Sequence, residues 1–387
     1  MSSNPFHDPS LKGRHRAALL FKWYTGASII FTLVFLFFFL FDMGRTAAPA
    51  LWQTYVMVDV TYSEKSLRFT QRAVDKKYRK IVSRAWLREL PRHVEANPEL
   101  LGKTVTLWVL ADDQVDQYMK EHHHSLKQKQ IDVVEELKLN NSIELKWNDV
   151  FFTRGDSKLP ENAGILSALV GSVLTLLVTM ALAFPLGVMT AVYLEEFAKD
   201  TALTRFIEVN INNLAAIPSI LFGLLGLSVF INLFGLPRSS PLVGGLTLAL
   251  MTLPIIIVSS RAALRSVPDS IRQAGYGLGL TKIQIVQDHV LPVALPGILT
   301  GSIIGLAQAI GETAPLIIIG MIAFIPDSPS SIVEAATVLP AQIFTWAGMP
   351  ERAYVEKTAA GIVVILFILL SLNAAAIYLR KKYEIKW

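Results

Sequence analysis

Apolar and polar positions divide this chain into stretches of very different character. Six runs are apolar and long enough to cross a bilayer, which takes about 20 residues of helix. They are 24–41, 165–194, 214–235, 242–260, 295–324 and 359–379. The second and fifth are longer than needed and contain Gly and Pro, which membrane helices accept where neighbours re-satisfy the backbone. Between the first and second runs the pattern changes. Residues 42–160 are polar and hold no spanning run. Within them, 63–90 has apolar residues near helical spacing, 103–110 reads as a strand, 112–137 as a helix and 142–152 as another strand. The expected fold is an all-α polytopic membrane protein with six transmembrane helices and a small α+β domain between helices 1 and 2.

Charge adds orientation. Only 17% of the residues are charged, against roughly a quarter in soluble domains. The net charge of +5 reads as membrane topology rather than nucleic-acid binding. Lys12, Arg14, Arg16 and Lys22 precede the first run, and Arg380, Lys381 and Lys382 follow the last. Positive flanks stay inside, so both termini are expected in the cytoplasm. The organisation is then a cytoplasmic 1–23, a helix at 24–41, an extracytoplasmic 42–160, a five-helix core at 161–380 and a cytoplasmic tail at 381–387. A long translocated domain escapes the positive-inside rule, so its many Lys and Arg are no objection. The first run has two readings. Its length and Arg45 favour an uncleaved anchor, while the basic start and Ala48-Pro49-Ala50 loosely fit a signal peptide.

The chain has no cysteine, which excludes disulfides and thiolate metal sites. His122, His123 and His124 invite a metal reading. Consecutive helical residues point about 100° apart, however, so on a helix a solvated polar run is favoured. The 42–160 domain reads either as a docking or gating module or as a solvated spacer.

RQAGYGLGLTKIQIVQDHVLP (272–292) is a polar, glycine-interrupted insert between two oily runs, and the topology places it in the cytoplasm. Ile283, Ile285, Val286 and Val290 are expected to line one side. Gln273, Lys282, Gln284, Gln287 and Asp288 face out. Gly275, Gly277 and Gly279 keep a turn bare, and Pro292 ends the helical run. Such a knob suits docking in a partner's groove; the alternative is an ordinary interfacial loop.

The stretch resembles the coupling-loop motif of bacterial ABC import permeases: EAA, three residues, Gly, nine residues, then I-x-LP. The matching positions are Gln273, Ala274, Gly275, Gly279, His289, Leu291 and Pro292, with Leu280 beside them. Gln273, Gly275 and His289 depart from the usual Glu, Ala and apolar residue. PLGVMTAVYLEEFA (185–198), AAIPSILFGLLGL (215–227) and GETAPL (311–316) are similar to segments of phosphate-import permeases, and the resemblance covers about 160–387. It implies a heteromeric importer in the bacterial inner membrane: an ATPase subunit dimer, a second permease subunit and an extracytoplasmic phosphate-binding protein. ATP would be held by the partners, and no cofactor by this chain. No G-x-x-x-x-G-K-[ST] loop is present in the sequence, so it is not expected to hydrolyse ATP.

For the solute path, Glu312 stands out as an ionisable residue inside the fifth run. Gln308 precedes it by four residues, on the same helix face, and Thr313 adds a hydroxyl. A carboxylate repels phosphate, so Glu312 is expected to hold a basic group or act in gating. The resemblance places relatives' arginines at Gln308 and near Val258, neither of which is basic here. Arg261, about one turn on from Val258, is the nearest substitute, with a positive-inside anchor as its other reading. Asn373 is expected to make an interhelical hydrogen bond. Two further readings compete: a secondary transporter, which would need inverted repeats not evident in the sequence, and a membrane-anchored sensor acting through 42–160.

Overall fold

The computed structural model describes residues 10–322 and 324–383; the first nine residues and the 384–387 end of the expected tail lie outside them. Helix α1 (Ser10–Ala47) is 38 residues long, extending past the expected 24–41 on both sides. It packs along α11 (Arg352–Tyr383) and leaves the rest of its apolar surface bare. Among the described residues five helices are long and apolar enough to cross a membrane: α1, α4 (Leu166–Val192), α7 (Pro241–Arg265), α9 (Lys282–Gly311) and α11. The expected third span is different. Residues 214–235 take in only the end of α5 (Ala202–Ala215) and all of α6 (Ser219–Leu233), a pair bent by 105° at the break between them. Alone, α6 is about 22 Å long at 1.5 Å per residue, less than the roughly 30 Å of the hydrocarbon core.

The packing of α4 follows from its sequence. Ser167, Gly171, Thr175, Thr179, Ala183, Gly187 and Ala191 recur every four residues and are all buried. A four-residue step is about one helical turn, so these small side chains form one stripe. Helices in lipid associate through such stripes because close approach, not hydrophobicity, supplies the attraction. Here the stripe admits α7 and lets Thr179 Oγ1 donate to the Gly245 carbonyl at 3.3 Å.

The polar domain runs from Ala48 to Asn162, slightly inside the expected 42–160 limit at its start. Its three-stranded antiparallel sheet has the order β2–β1–β3: β1 (Trp52–Thr61), β2 (Thr104–Leu110) and β3 (Ile143–Trp147). The central strand β1 was missed in the sequence reading because it follows the first apolar run almost directly. Its alternate residues Val56, Val58 and Val60 face the domain core beside Leu87, Val109 and Val134. The expected helix at 112–137 is two, α2 (Asp113–Met119) and α3 (Gln128–Leu139), with the histidine run in the loop between them. The expected strand at 142–152 ends at Trp147. Asn148 then caps a short helix at Asp149–Thr153 by accepting from the Phe151 amide.

Chain direction sets the two faces of the protein. The starts of α4, α7 and α11 and the ends of α6 and α9 lie on the side of the polar domain. The described chain ends and residues 266–281 lie on the opposite side.

Candidate functional site

Helix α8 (Asp269–Gly277) and the first turns of α9 form the projecting segment. Two glycines serve it in different ways. A Cβ on Gly275 would lie 2.6 Å from Ile285 Cγ1, so the bare backbone lets α8 pack onto the start of α9. Gly279 has φ +76° with open space around it; conformation, not room, selects glycine there. The Leu280 amide closes the turn on the Gly275 carbonyl at 3.1 Å. Thr281 then caps α9 in a reciprocal box with Gln284, a device that satisfies two otherwise free amides.

Gln273, Ala274, Tyr276 and Leu278 are left exposed at the tip, Leu278 at 79%. Ile285, Val286 and Val290 are buried as expected, but Ile283 points outward. Pro292 does not end the helical run. The helix passes unbroken through Leu291, Pro292 and Pro296 to Gly311, widening to π-type turns at Ile285–Val290. The start of α9 and the membrane helix are therefore one continuous helix, and α8 is joined to it through the Gly279 turn.

One arginine fixes α8 to the core, and further ion pairs brace α7 against its neighbours beside it. A wide turn after α4, Tyr193–Phe197, aims two carboxylates at it. Arg272 Nη2 meets Glu196 at 2.7 Å and also donates to the Leu264 carbonyl, while its Nη1 donates to the Val267 carbonyl. One guanidinium thus ties α8 to both α4 and α7. Arg265 Nε reaches Glu195 at 2.8 Å, and Arg261 is held by Glu195 at 3.3 Å and Glu208 of α5 at 2.6 Å. Arg261 is therefore committed to carboxylates and is not an open anion contact. Glu195, Glu196 and Glu208 escaped the sequence reading. The adjacent pair in YLEEF, at the end of an oily run, was the available signal.

On the other face, Glu312 is not inside a helix. The run ends at Gly311, and Glu312 is extended (ψ 126°) before the short α10 (Ala314–Ile318). Gln308 and Glu312 consequently do not share a helical face. Among the described residues the Glu312 carboxylate has no hydrogen-bond or ion-pair partner, and the Thr313 hydroxyl reaches only the Gly311 carbonyl at 3.5 Å. Gln308 is exposed. Arg238, in the α6–α7 loop on the same face, lies beside Gly320 just after α10. Asn373 makes no side-chain hydrogen bond among the described residues; it lines a groove between α9 and α11.

The polar domain is bolted to α11. Glu356 accepts from Gln117 Nε2 (3.0 Å) and Lys120 Nζ (3.2 Å) and bonds His122 Nδ1 (2.8 Å). Lys120 also meets Asp116 at 2.6 Å, and Asp116 accepts from the Thr54 amide and hydroxyl. Lys357, fully buried, donates to the Ala163 carbonyl. Nearby, burial pushes the Asp112 carboxyl up to about 7, with Asp113 and Glu161 adding like charge. Of the histidine run, His122 serves this junction and His124 packs edge-on against Tyr118. Among the described residues no cluster is arranged to hold a metal ion.

The comparisons with known proteins agree with this architecture. Residues 183–384 match the model of the binding-protein-dependent transport system inner membrane component, and 8–77 and 65–128 match a domain of unknown function. The chain is 32% identical over 225 residues to the phosphate transport system permease protein PstA 1 of Mycobacterium tuberculosis, covering 57% of this chain and 73% of that one. It is also 32% identical to PstA of Yersinia pestis, covering 57% and 74%. A solved structure of the MetNI methionine ABC transporter in inward-facing conformations aligns with TM-score 0.44 and 19% identity, covering 57% of this chain and 95% of that one.

The family match and the two PstA relatives define a multi-pass permease subunit of an ABC importer, without an ATPase site of its own. The chain belongs to the binding-protein-dependent transport system inner membrane component family. That membership sets aside the secondary-transporter reading.

Proposed function

We propose that this subunit carries inorganic phosphate across the inner membrane and that α8 with the start of α9 is its coupling segment. The observation that carries the coupling role is the exposed tip at Gln273–Leu278, packed through Gly275 onto the start of the continuous helix α9 and pinned to α4 and α7 by Arg272. Movement of an ATPase dimer against that tip would be passed through Arg272 into α4 and α7, and through the Gly275 contact into α9. ATP is bound by the ATPase subunits. A second permease subunit completes the pathway, and a phosphate-binding protein delivers solute from the polar-domain side. The names of relatives support phosphate. In this orientation the chain ends and α8 are cytoplasmic, and the positive charge of Arg261, Arg265, Arg272 and Lys282 supports it.

With Arg261 occupied, Glu312 and Arg238 are charged groups available on the entry side, with Thr313 as a hydroxyl donor. Glu312 sits at a break between helices, where backbone and side chain can rearrange during gating. The test is Arg272→Ala in the assembled transporter. It is expected to lower phosphate uptake at least about tenfold, which corresponds to 1.4 kcal/mol, while the protein stays in the membrane and the ATPase subunits still copurify. Unchanged uptake in Arg272→Ala, or failure of any ATPase subunit to copurify with the native chain, defeats the coupling assignment.

A further inference from the structure

The polar domain carries a patch of exposed aromatic side chains at the end nearest the membrane helices. Trp52 opens β1 only five residues after α1 ends, and its cross-strand partner is Trp147 at the end of β3. Their rings meet edge to face at 6.2 Å. Trp147 stacks on Phe152 at 5.8 Å, and Phe152 abuts Phe151 at 5.0 Å. Trp52 is 49% exposed, Trp147 48% and Phe152 38%. Leu145, two residues before Trp147 and so on the same face of β3, extends the patch.

The depth of this patch is set by its neighbours. Phe151 and Ala50 share one buried cluster with Ile165 and Ala168 at the start of α4, and with Ala359 and Ala360 where the apolar run of α11 begins. These are the ends of spanning segments, so the aromatic patch sits at the level where those segments leave the hydrocarbon. The patch also follows α1 closely in the chain, and the apolar run of that helix stays bare, its last rings Phe37 and Phe41 stacked on each other at 70% and 60% exposure. Aromatic rings, tryptophan above all, concentrate at this level because the ring is apolar and the indole N–H still finds a wet partner.

We propose that Trp52, Trp147 and Phe152 form an interfacial anchor that seats the polar domain on the lipid headgroup layer of the bilayer face where it stands. The occupant is lipid rather than protein, because the patch stands level with the ends of the apolar runs of α4 and α11, directly after the bare run of α1. The domain is thereby held at two places: by Glu356 and Lys357 on α11, and by rings in the bilayer surface beside them. This assignment needs only the multi-pass reading and is independent of the solute.

The absence of cysteine makes the test clean. Single variants Trp147→Cys, Phe152→Cys and, as a control, Leu139→Cys are spin-labelled in the assembled transporter. The transporter is reconstituted in vesicles of phosphatidylethanolamine and phosphatidylglycerol. Leu139 is just as bare, at 83% exposed, but lies before β3 at its far end. The label at 147 and 152 is expected to show a several-fold higher ratio of oxygen to nickel-chelate access than the label at 139. Labels at 147 and 152 that behave like 139, or that are shielded from both reagents as a protein partner would shield them, overturn the proposal. Native side chains provide the second measurement. Lipids brominated near the headgroup should quench the unlabelled protein, and Trp52→Phe and Trp147→Phe should each remove part of that quenching. Unaltered quenching in both overturns it equally.

Discussion

Two ionic junctions hold peripheral elements to the same helical core, and they are built on different principles. At the α8 end, arginines fork onto carboxylates and backbone carbonyls within a surface that still meets water. Arg272 of α8 stays about a fifth exposed over the covered Glu196, and Arg265 of α7 beside it is well exposed. At the polar-domain end, Asp116, Lys120 and Glu356 are all buried, and the charges are paired inside the protein. A partly wet junction tolerates strain and repositioning, since solvent can compensate a stretched pair. A dry one does not, because a buried charge that loses its partner retains its full desolvation cost. The α8 junction thus suits an element that transmits movement. The α11 junction suits a domain that travels with its helix as one body.

The sharpest way to break this contrast is at Glu356. Glu356→Leu removes the acceptor of Lys120, His122 and Gln117 together and should destabilise the domain junction by about 3 kcal/mol, the lower end for a broken buried pair because Asp116 still holds Lys120. Thermal unfolding and protease cleavage within residues 48–162 report it. An unchanged cleavage rate would mean that the junction is not where the domain is held.

The next effect is a pH dependence confined to the polar-domain side. The Asp112 carboxyl is raised from 3.8 to about 7 by burial, then by Asp113 and Glu161. A carboxylate raised on folding lends stability that is fully present below the unfolded value and is lost as pH climbs through the folded one. The melting temperature should therefore fall as pH rises from about 4 to about 7. Asp156, raised to about 6 mainly by burial, acts with the same sign. Asp112→Asn should flatten much of this slope, and a slope that persists undiminished would assign it elsewhere.

The smallest effect lies at the α8 turn. Gly279→Ala places a side chain at φ +76° and should cost about 1 kcal/mol. Because space is open there, the change should show as a modest loss of uptake rather than a loss of protein. Gly275→Ala, by contrast, meets Ile285 and should disturb the seating of α8 itself; equal effects from the two would show that the turn is not read as described.

Much of the helical architecture was legible from local pattern. Span positions follow from hydrophobic runs, because a helix in lipid satisfies its own backbone and needs only length. The small-residue stripe of α4 is visible as a four-residue repeat for the same reason. The projecting character of 272–292 was legible from its glycines and charges. Three local inferences failed where geometry depended on neighbours. Proline at 292 was read as a stop, yet the helix runs on, since packing against α8 and α7 supports the wider turns. Glu312 was read as helical, yet the chain breaks at Gly311 to send α10 back against α6. The run 214–235 reads as one span, yet it contains a bend of 105° and leaves out most of α5.

What the sequence by itself determined is therefore the set of membrane segments, the separate polar domain and the exposed segment between α7 and α9. Each is encoded within a window of a few turns. Only the tertiary structure decided which charges meet. Arg272 and Glu196 are 76 residues apart, and Lys120 and Glu356 are 236 apart. Arg261 illustrates the consequence: in isolation it is a free cation for an anion path, and in the fold it is already neutralised by Glu195 and Glu208. Side-chain charge is a local property, whereas its availability depends on what packing brings within about 4 Å.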